Sequence, residues 1–210
     1  MTNMDLSWKF AEDFVVESPE IAAARQLSLE NGVEAITAAV GAQIAVIAAA
    51  TNAETAIEIG TGLGVSGLWL FAGAPKVILT SIDIELEYQQ SARRGFTDAG
   101  IPANQTRLIA GRALDVLPRM NEASYDLVIV DADPASVIEY VEHGLRLVRV
   151  GGTVLIPHAL WRGRVADAAQ RDETVADFRT LLDEIAKSPA VLSALSLAGD
   201  GLLQLTRVAN

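Results

Sequence analysis

The stretch EIGTGLGVSG, Glu58 to Gly67, decides the fold of this chain, because an apolar strand pattern runs into a glycine-rich turn there. Just upstream, TAIEIG is typical of a short buried strand, and SGLWLFAG is typical of a helix that ends at Gly73. Gly62, Gly64 and Gly67 also have the G-x-G-x-x-G spacing of dinucleotide-binding loops, which is weak evidence when it stands alone. The stretch therefore predicts a strand, a turn and a helix, and leaves open what the turn binds.

Strand and helix patterns alternate along the rest of the chain. VILTSIDI, TRLIAG, YDLVIVDAD and GGTVLIPH are typical of strands, and EYQQSARRGFTDAG, ALDVLPRM and PASVIEYVEHGLRLV of the helices between them. This alternation predicts parallel strands joined by right-handed crossovers. After a last helix in ETVADFRTLLDEIAKS, only Gly199, Asp200 and Gly201 separate the runs LSALSLA and LLQLTRV, which is too short for a parallel crossover. We expect an α/β fold: a Rossmann-like, mostly parallel sheet ending in an antiparallel C-terminal hairpin, with helices on both faces.

The first third of the chain is predicted to be helical. Ser18 followed by Pro19 fits a helix N-terminus, and a second helix is expected at about Val33 to Ala50. The stretch from Ala35 to Ala53 has no charged residue and approaches the length of a membrane helix. Polar residues interrupt it and no Lys or Arg flanks it closely, so we expect a buried, alanine-rich helix rather than a membrane span.

Length and charge limit the classes of partner. The 210 residues suit a single domain, 1–210, with residues 1–50 as an N-terminal helical extension and residues 51–210 as the Rossmann-like core. A formal net charge of -11 disfavours nucleic acids and anionic membranes as partners. The absence of cysteine excludes disulfides and thiol catalysis. The start, MTNMDLSWKF, lacks the pattern of a secretory signal, and we expect a cytoplasmic location.

Acidic residues stand at the carboxyl ends of the predicted strands, where open α/β sheets bind their ligands. Glu58 lies in the first strand, Asp83 ends the second, and Asp131 and Asp133 end the fourth. Acidic walls suit a cationic ligand better than a pyrophosphate. S-adenosylmethionine has a sulfonium, an ammonium and one carboxylate, which the helix start at Ser66 could bind.

Local roles for the same residues stay open. Asp83 by itself indicates only a ribose. An acid about 20 residues beyond the glycines binds ribose hydroxyls in dinucleotides and in S-adenosylmethionine alike. Ser66 could be a helix cap, Asp83 a solvated carboxylate, and Asp131 and Asp133 turn formers.

Several motifs in succession resemble one family. EIGTGLGVSGLWL, SIDIELEYQQSARRGF, GRALDVLP, YDLVIVDAD, LRLVRVGG, ALWRGRV and GDGLL are similar to motifs of the class I S-adenosylmethionine-dependent O-methyltransferases related to the catechol and caffeoyl-coenzyme A enzymes. The resemblance runs from about Val33 to the C-terminus. It implies an enzyme that methylates a hydroxyl of a small, aromatic acceptor, and a homodimer.

The resemblance also implies roles for particular residues. Those implied to line the methionine end of the donor are Ile36, Glu58, Gly60, Thr61, Gly62 and Ser66. Asp83 would bind the ribose hydroxyls, and Arg112 and Ala113 would border the adenine. Asp131 and Asp133 would face the methyl group and the acceptor. A plain core role for Ile36 stays open.

The chain departs from the metal-dependent members of this family where the chemistry takes place. It has Asp131-Ala132-Asp133-Pro134 where they have Asp-Ala-Asp-Lys, and Pro157-His158 where they have Asp-Asn. Of the metal ligands, only Asp131 remains, and the lysine base is missing. A divalent cation such as Mg²⁺ could still bind Asp131 with Asp133, at lower affinity.

His158 is the second catalytic candidate beside Asp131. A phenol with a pKa of about 10 is ionised to about one part in a thousand at neutral pH, so about 4 kcal/mol of activation is needed. His158 could replace a lost ligand or act as the general base, or it could be a loop histidine with local hydrogen bonds.

Trp161, Arg162 and Arg164 resemble the loop that covers the acceptor in relatives. The tryptophan could stack on an aromatic acceptor and the arginines could pair with an anionic one, or they could anchor the loop and meet solvent.

Two other functions stay open. An NAD(P)-dependent oxidoreductase is favoured by the glycine spacing and disfavoured by Glu58 and the hairpin, and the missing lysine would suit a non-catalytic S-adenosylmethionine-binding protein.

Overall fold

The computed structural model describes residues 3–209, in which three helices precede a series of strands and helices that ends in two strands. The α-helices are α1 (Asn3–Asp13), α2 (Pro19–Glu30), α3 (Ala38–Ala50), α4 (Val65–Gly73), α5 (Leu86–Asp98), α6 (Ala113–Val116), α7 (Val137–Leu147) and α8 (Glu173–Lys187). The strands are β1 (Thr55–Ile59), β2 (Ile78–Asp83), β3 (Thr106–Ala110), β4 (Tyr125–Val130), β5 (Val148–Ile156), β6 (Val191–Ser196) and β7 (Leu202–Arg207). Short 3₁₀ turns lie at Ala103–Gln105, Leu117–Arg119 and Pro134–Ser136.

Within these residues the strands form one seven-stranded sheet in the order β3-β2-β1-β4-β5-β7-β6. The first five strands in this order are parallel, whereas β7 is antiparallel to both β5 and β6. The predicted mostly parallel sheet with a C-terminal hairpin is therefore confirmed. The chain moves from β1 to β2 on one side and later to β4 on the other, so a crevice opens at the carboxyl ends of β1 and β4.

Successive residues of the central strands enter opposite layers of the core. Leu127 of β4 packs in the layer that contains Ile44 of α3 and Leu68 of α4. Its neighbour Val128 packs in the layer that contains Val141 of α7 and α8 side chains. Burying one such side chain stabilises the fold by about 1.5–3 kcal/mol. Two helical layers thus hold the central strands, and with them the crevice, in place.

The N-terminal helices begin where side chains can cap them. Ser18 Oγ accepts the N–H of Ile21 at 3.3 Å, and Pro19 is the first residue of α2, as predicted. The second helix begins at Ala38 rather than at Val33, because Thr37 is extended and its hydroxyl accepts from Val40 N–H at 3.4 Å.

The uncharged stretch forms α3, which packs closely on α4. A Cβ atom added at Gly73 would lie 2.0 Å from the carbonyl oxygen of Ala45, so only glycine allows this approach. Across the part of the chain that the structure describes, no helix is both long and apolar enough to cross a membrane.

Candidate functional site

The carboxyl ends of β1, β2 and β4 border a cavity of about 390 Å³, here called the donor cavity. Nearly all residues that the resemblance assigned to the donor line it: Ile36, Gly60, Thr61, Gly62, Ser66, Asp83, Arg112, Ala113, Asp131 and Asp133. Ile36 also belongs to the core and is 1% exposed, so it is a core residue that borders the cavity. Glu58 is the exception.

Glu58 lies behind the wall of the donor cavity, beneath the glycine loop. Its carboxylate is fully buried and accepts hydrogen bonds from the hydroxyls of Ser66 at 2.5 Å and Ser81 at 2.6 Å. Burial is the main cause that raises the pKa of Glu58 to about 7; the two serines lower it, and Asp131 and Asp83 raise it. The Glu58 side chain thus joins α4 to β2 and does not itself line the donor cavity, and a role at the methionine end stays a prediction.

Ser66 does not cap α4. The N-cap is Gly64, which has no side chain to accept a bond, and the Ser66 hydroxyl donates to Glu58 instead. Thr61 continues this buried chain of hydroxyls, with its Oγ1 2.6 Å from Ser81 Oγ. The loop is therefore tied to the strands through Thr61 and Ser66, and the first N–H groups of α4 remain without a side-chain cap.

The glycine loop turns tightly at the end of β1. Gly60 has φ +94°, and a Cβ atom there would lie 1.8 Å from the carbonyl oxygen of Asp131. Gly62 has φ +49°, and its N–H donates to Asp83 Oδ2 at 2.9 Å. Asp83 Oδ1 accepts from the N–H of Glu85 at 2.9 Å. Asp83 is thus no merely solvated carboxylate: it lines the cavity and fixes the loop.

A second cavity, of about 210 Å³, adjoins the first and is here called the acceptor cavity. The two cavities share walls made of Glu34, Asp131, Ala132, Asp133 and Tyr140. The remaining lining of the acceptor cavity includes Ile156, Pro157, His158, Trp161 and Phe178. Sequence reasoning missed Glu34 and Tyr140, because neither stands in a motif or at the end of a strand.

Asp131 and His158 meet where the two cavities join. His158 Nε2 lies 3.9 Å from Asp131 Oδ1, and Nδ1 lies 4.0 Å from Asp200 Oδ2. Nε2 is buried and has no hydrogen-bond partner among residues 3–209. Burial raises the pKa of Asp131; the neighbouring His158 lowers it and Glu34 raises it. The imidazole therefore lies between two carboxylates, with a free nitrogen at the junction.

Asp133 has a local role as well as a place on both cavity walls. Its carboxylate accepts from Ala135 N–H at 3.3 Å and from the Ser136 hydroxyl at 2.8 Å, which caps the turn after β4. Asp133 is therefore a turn former by its hydrogen bonds, whereas Asp131 is directed to the cavities.

The side chains at this junction offer few ligands to a divalent cation. Over the described range, 3–209, no group of three or more His, Cys, Asp or Glu side chains is placed to bind a metal ion. Pro157 offers no side-chain donor, and Asp133 already bonds Ser136. Mg²⁺ usually takes one or two carboxylates together with waters or substrate oxygens.

The large side chains of the loop after β5 already have partners within the protein. Trp161 stacks on Phe178 of α8, with ring centroids 5.9 Å apart at 24°. Arg162 Nη2 lies 2.5 Å from Glu34 Oε2, and Arg164 Nη2 lies 2.6 Å from Asp172 Oδ2. These contacts favour an anchoring role for the tryptophan and leave neither arginine unpaired.

The fold and this site define a class I methyltransferase: a mostly parallel sheet, a terminal hairpin and a cavity at the ends of β1 and β4. The family model described as O-methyltransferase matches residues 16–208, so the chain belongs to the O-methyltransferase family. The prediction of an O-methyltransferase is confirmed, and nothing in the comparisons supports either alternative.

Relatives and solved structures agree with this assignment. A putative O-methyltransferase of Mycobacterium sp. (strain KMS) is 44% identical over 198 residues, 94% of this chain and 90% of the relative. One of Mycobacterium tuberculosis (strain ATCC 25177 / H37Ra) is 42% identical over 201 residues, 95% of this chain and 90% of the relative.

Two solved structures cover the whole of this chain. A Corynebacterium glutamicum protein is 28% identical, with a TM-score of 0.91 and 99% of its chain covered. The O-methyltransferase TomG from Streptomyces achromogenes, involved in tomaymycin synthesis and solved in complex with SAM, is 27% identical, with a TM-score of 0.86 and 100% of its chain covered.

Proposed function

We propose that this chain transfers a methyl group from S-adenosylmethionine to a hydroxyl of a small aromatic acceptor. The observation that carries the proposal is the pair of adjoining cavities, about 390 Å³ and 210 Å³, that share Asp131 and Tyr140 as walls. Transfer from a sulfonium needs two substrates aligned in a site that excludes water. Two cavities joined at one point supply that arrangement.

The donor cavity suits S-adenosylmethionine in size and charge. Its volume lies within the range of about 300–1,000 Å³ of small-molecule sites. Asp83, Asp131 and Glu34 give it acidic walls, which attract a sulfonium and an ammonium. The uncapped N-terminus of α4 offers N–H groups to a carboxylate. A Cβ atom at Gly62 would meet only Val33, at 3.8 Å, so the loop leaves room for a ligand.

The acceptor cavity suits one aromatic ring that carries no negative charge. Tyr140, Trp161 and Phe178 supply aromatic walls, and its volume of about 210 Å³ is small. Its charged walls are Glu34, Asp131 and Asp133, and the nearby Arg162 is already paired with Glu34. An acceptor with a carboxylate or phosphate would therefore meet repulsion.

His158 is placed to accept the hydroxyl proton. When bound, S-adenosylmethionine supplies an electrophilic methyl group. Loss of the methyl group to the acceptor oxygen would leave the electron pair of the broken carbon–sulfur bond on sulfur, and His158 Nε2 would take the hydroxyl proton. Asp131, 3.9 Å away, stabilises the resulting imidazolium. General-base catalysis of this kind contributes about 10²- to 10⁴-fold.

A methyl-transfer assay tests the proposal. A panel of phenols and catechols is incubated with S-adenosylmethionine, once with Mg²⁺ and once with a chelator, and calorimetry follows binding of S-adenosylhomocysteine and NADH. We expect methylated product in both conditions, binding of S-adenosylhomocysteine and none of NADH. Donor binding without product across the panel would favour the non-catalytic alternative, and NADH binding alone would contradict the proposal.

We further propose a single domain, a homodimer and a cytoplasmic location. The dimer is supported by large apolar side chains that α1 and the segment after it leave exposed, among them Phe10 at 75% and Phe14 at 78%. The absence of cysteine is compatible with the cytoplasm. Nucleic acids and anionic membranes remain disfavoured partners because of the net charge of -11.

A further inference from the structure

The turn between β6 and β7 packs against the loop that carries His158. Leu160 N–H donates to the carbonyl oxygen of Asp200 at 3.0 Å, and Ala159 N–H donates to that of Gly201 at 3.0 Å. The Asp200 carboxylate also accepts the N–H of Arg162 and, at 3.2 Å, that of Gly163. One carboxylate therefore binds the backbone of this loop at two successive residues.

The same loop holds an unusual concentration of left-handed backbone. His158 has φ +58°, Trp161 φ +46° and Arg162 φ +56°, although none of them is glycine. Each such residue costs on the order of 1–2 kcal/mol and persists only where its surroundings hold it. The bonds from Arg162 and Gly163 to Asp200 fall at the end of this strained stretch.

The turn itself is held from its other side by α1. Trp8 Nε1 donates to the carbonyl oxygen of Gly199 at 3.2 Å, and Gly199 N–H donates to Glu12 Oε1 at 3.2 Å. Glu12 also accepts from the Thr37 hydroxyl at 2.9 Å, at the start of α3. The turn that carries Asp200 is thus also held, through Gly199, by contacts that do not involve the loop.

We propose that Asp200 is a positioning residue of the methyl-transfer site. Its carboxylate holds the strained loop and faces His158 Nδ1, which keeps the proton on Nδ1 and leaves the lone pair of Nε2 directed at the junction of the cavities. The Nδ1 to Oδ2 distance is 4.0 Å, and such contacts commonly shorten when substrates bind. The inference rests on the proposed function for its kinetic part, since Asp200 acts through His158 and touches neither substrate.

The tautomer of His158 tests the proposal directly. The chain has two histidines, so ¹⁵N-histidine labelling gives two imidazoles, and a His143→Gln variant assigns them. We expect the Nδ1–H tautomer of neutral His158 in the native protein and a shift toward Nε2–H in Asp200→Asn, which keeps the size and one acceptor oxygen. Asp200→Glu, which retains a carboxylate, should restore the Nδ1–H form.

Kinetics supply the second measurement. Asp200→Asn should lower kcat about tenfold or more, with the Kd of S-adenosylhomocysteine changed less than about twofold. Asp167→Asn is the matched control, because Asp167 is exposed and, among residues 3–209, its carboxylate bonds Ala169 and Gln170 of its own turn, so both values should stay unchanged.

The two measurements separate failure of this inference from failure of the proposed function. Unchanged ¹⁵N shifts of His158 in Asp200→Asn would overturn the positioning role even if kcat fell, because loosening of the loop would then explain the loss. If no acceptor were methylated, the proposed function would fail while the tautomer shift could still be observed. An Asp200→Glu protein with the shifts of Asp200→Asn would also contradict the inference.

Discussion

At the residue scale, the proposed chemistry centres on Asp131 and His158, which meet where the two cavities join. His158 has a buried, unpartnered Nε2 among the described residues, and Asp131 is the nearest carboxylate to it, at 3.9 Å. Glu58 is more deeply buried, at 0% exposure, and has a different task, because both its oxygens accept hydroxyl hydrogen bonds. In the proposed mechanism Asp131 and His158 handle the proton, whereas Glu58 fastens the glycine loop.

Replacing His158 by alanine should affect turnover far more than donor binding. We expect His158→Ala to lower kcat by about 10²- to 10⁴-fold, because the proton acceptor is lost. The Kd of S-adenosylhomocysteine should change less than about twofold, because His158 lines the acceptor cavity and not the donor cavity. Single-turnover kinetics and calorimetry check both values, and unchanged turnover would remove His158 from the mechanism.

Glu58 should make stability depend on pH. Its pKa is raised from 4.5 in the unfolded chain to about 7 in the folded protein, so the folded state binds the proton more tightly. The free energy of unfolding should therefore fall as the pH rises from about 4.5 to about 7, by on the order of 3 kcal/mol. The free energy of unfolding of Glu58→Gln should lack this fall with pH.

Urea unfolding of the native protein and of Glu58→Gln between pH 4.5 and pH 8 gives the comparison. The difference between the two free energies of unfolding isolates this carboxyl group, because all other titrating groups are common to both proteins. A difference that stays constant across this pH range would contradict the assignment.

At the scale of secondary structure, the glycine loop is where strand, turn and helix must fit together. Gly60 packs against the carbonyl of Asp131, and Asp131 N–H donates to Ile59 O at 2.8 Å, so the ends of β1 and β4 touch. The hairpin of β6 and β7 acts on the opposite side of the acceptor cavity, through Asp200. Both elements shape the site with backbone as well as side chains.

A single methyl group at Gly60 should disturb this contact. Gly60→Ala places a Cβ atom 1.8 Å from the Asp131 carbonyl oxygen and requires φ +94°, so we expect destabilisation of at least about 2 kcal/mol. Gly95→Ala is the control: Gly95 lies inside α5, a Cβ there meets nothing within 4 Å, and stability should rise by about 0.5–1 kcal/mol. Equal effects in thermal unfolding would show that the close approach is absent.

At the scale of the whole molecule, the N-terminal helices connect both parts of the site. Arg25 of α2 donates to the carbonyl oxygen of Ile36 at 2.6 Å and pairs with Glu17 at 2.6 Å, which holds the segment that lines the donor cavity. Glu12 of α1 bonds both the start of α3 and the hairpin turn. The outward side of α1 and the segment after it remain apolar and exposed.

The proposed homodimer should depend on that apolar side. Replacing Phe10 and Phe14, 75% and 78% exposed, together by serine should shift the protein from dimer to monomer, because burial of apolar area drives association. Ile78→Ser, at a 52% exposed strand residue outside the N-terminal helices, is the control and should leave the dimer intact. Light scattering measures the mass of each variant, and a monomeric native protein would contradict the proposal.

Much of the donor cavity could be predicted from the sequence. Successive parallel strands bring their carboxyl ends to one edge of the sheet, so Gly60, Asp83 and Asp131 converge whatever the details of packing. The alternation of strand and helix patterns along the chain predicts the parallel sheet, and the short link at 199–201 predicts its terminal hairpin.

Only the tertiary structure decided which side chains face one another. Glu58 stands in the expected strand, but its burial beneath Ser66 and Ser81 depends on how α4 and β2 pack on β1. Asp200 faces His158 because β7 returns beside β5, and contacts between segments so distant in sequence leave no local pattern. Periodicity and glycines are set by local backbone physics, whereas the partners of a buried polar group depend on which elements meet.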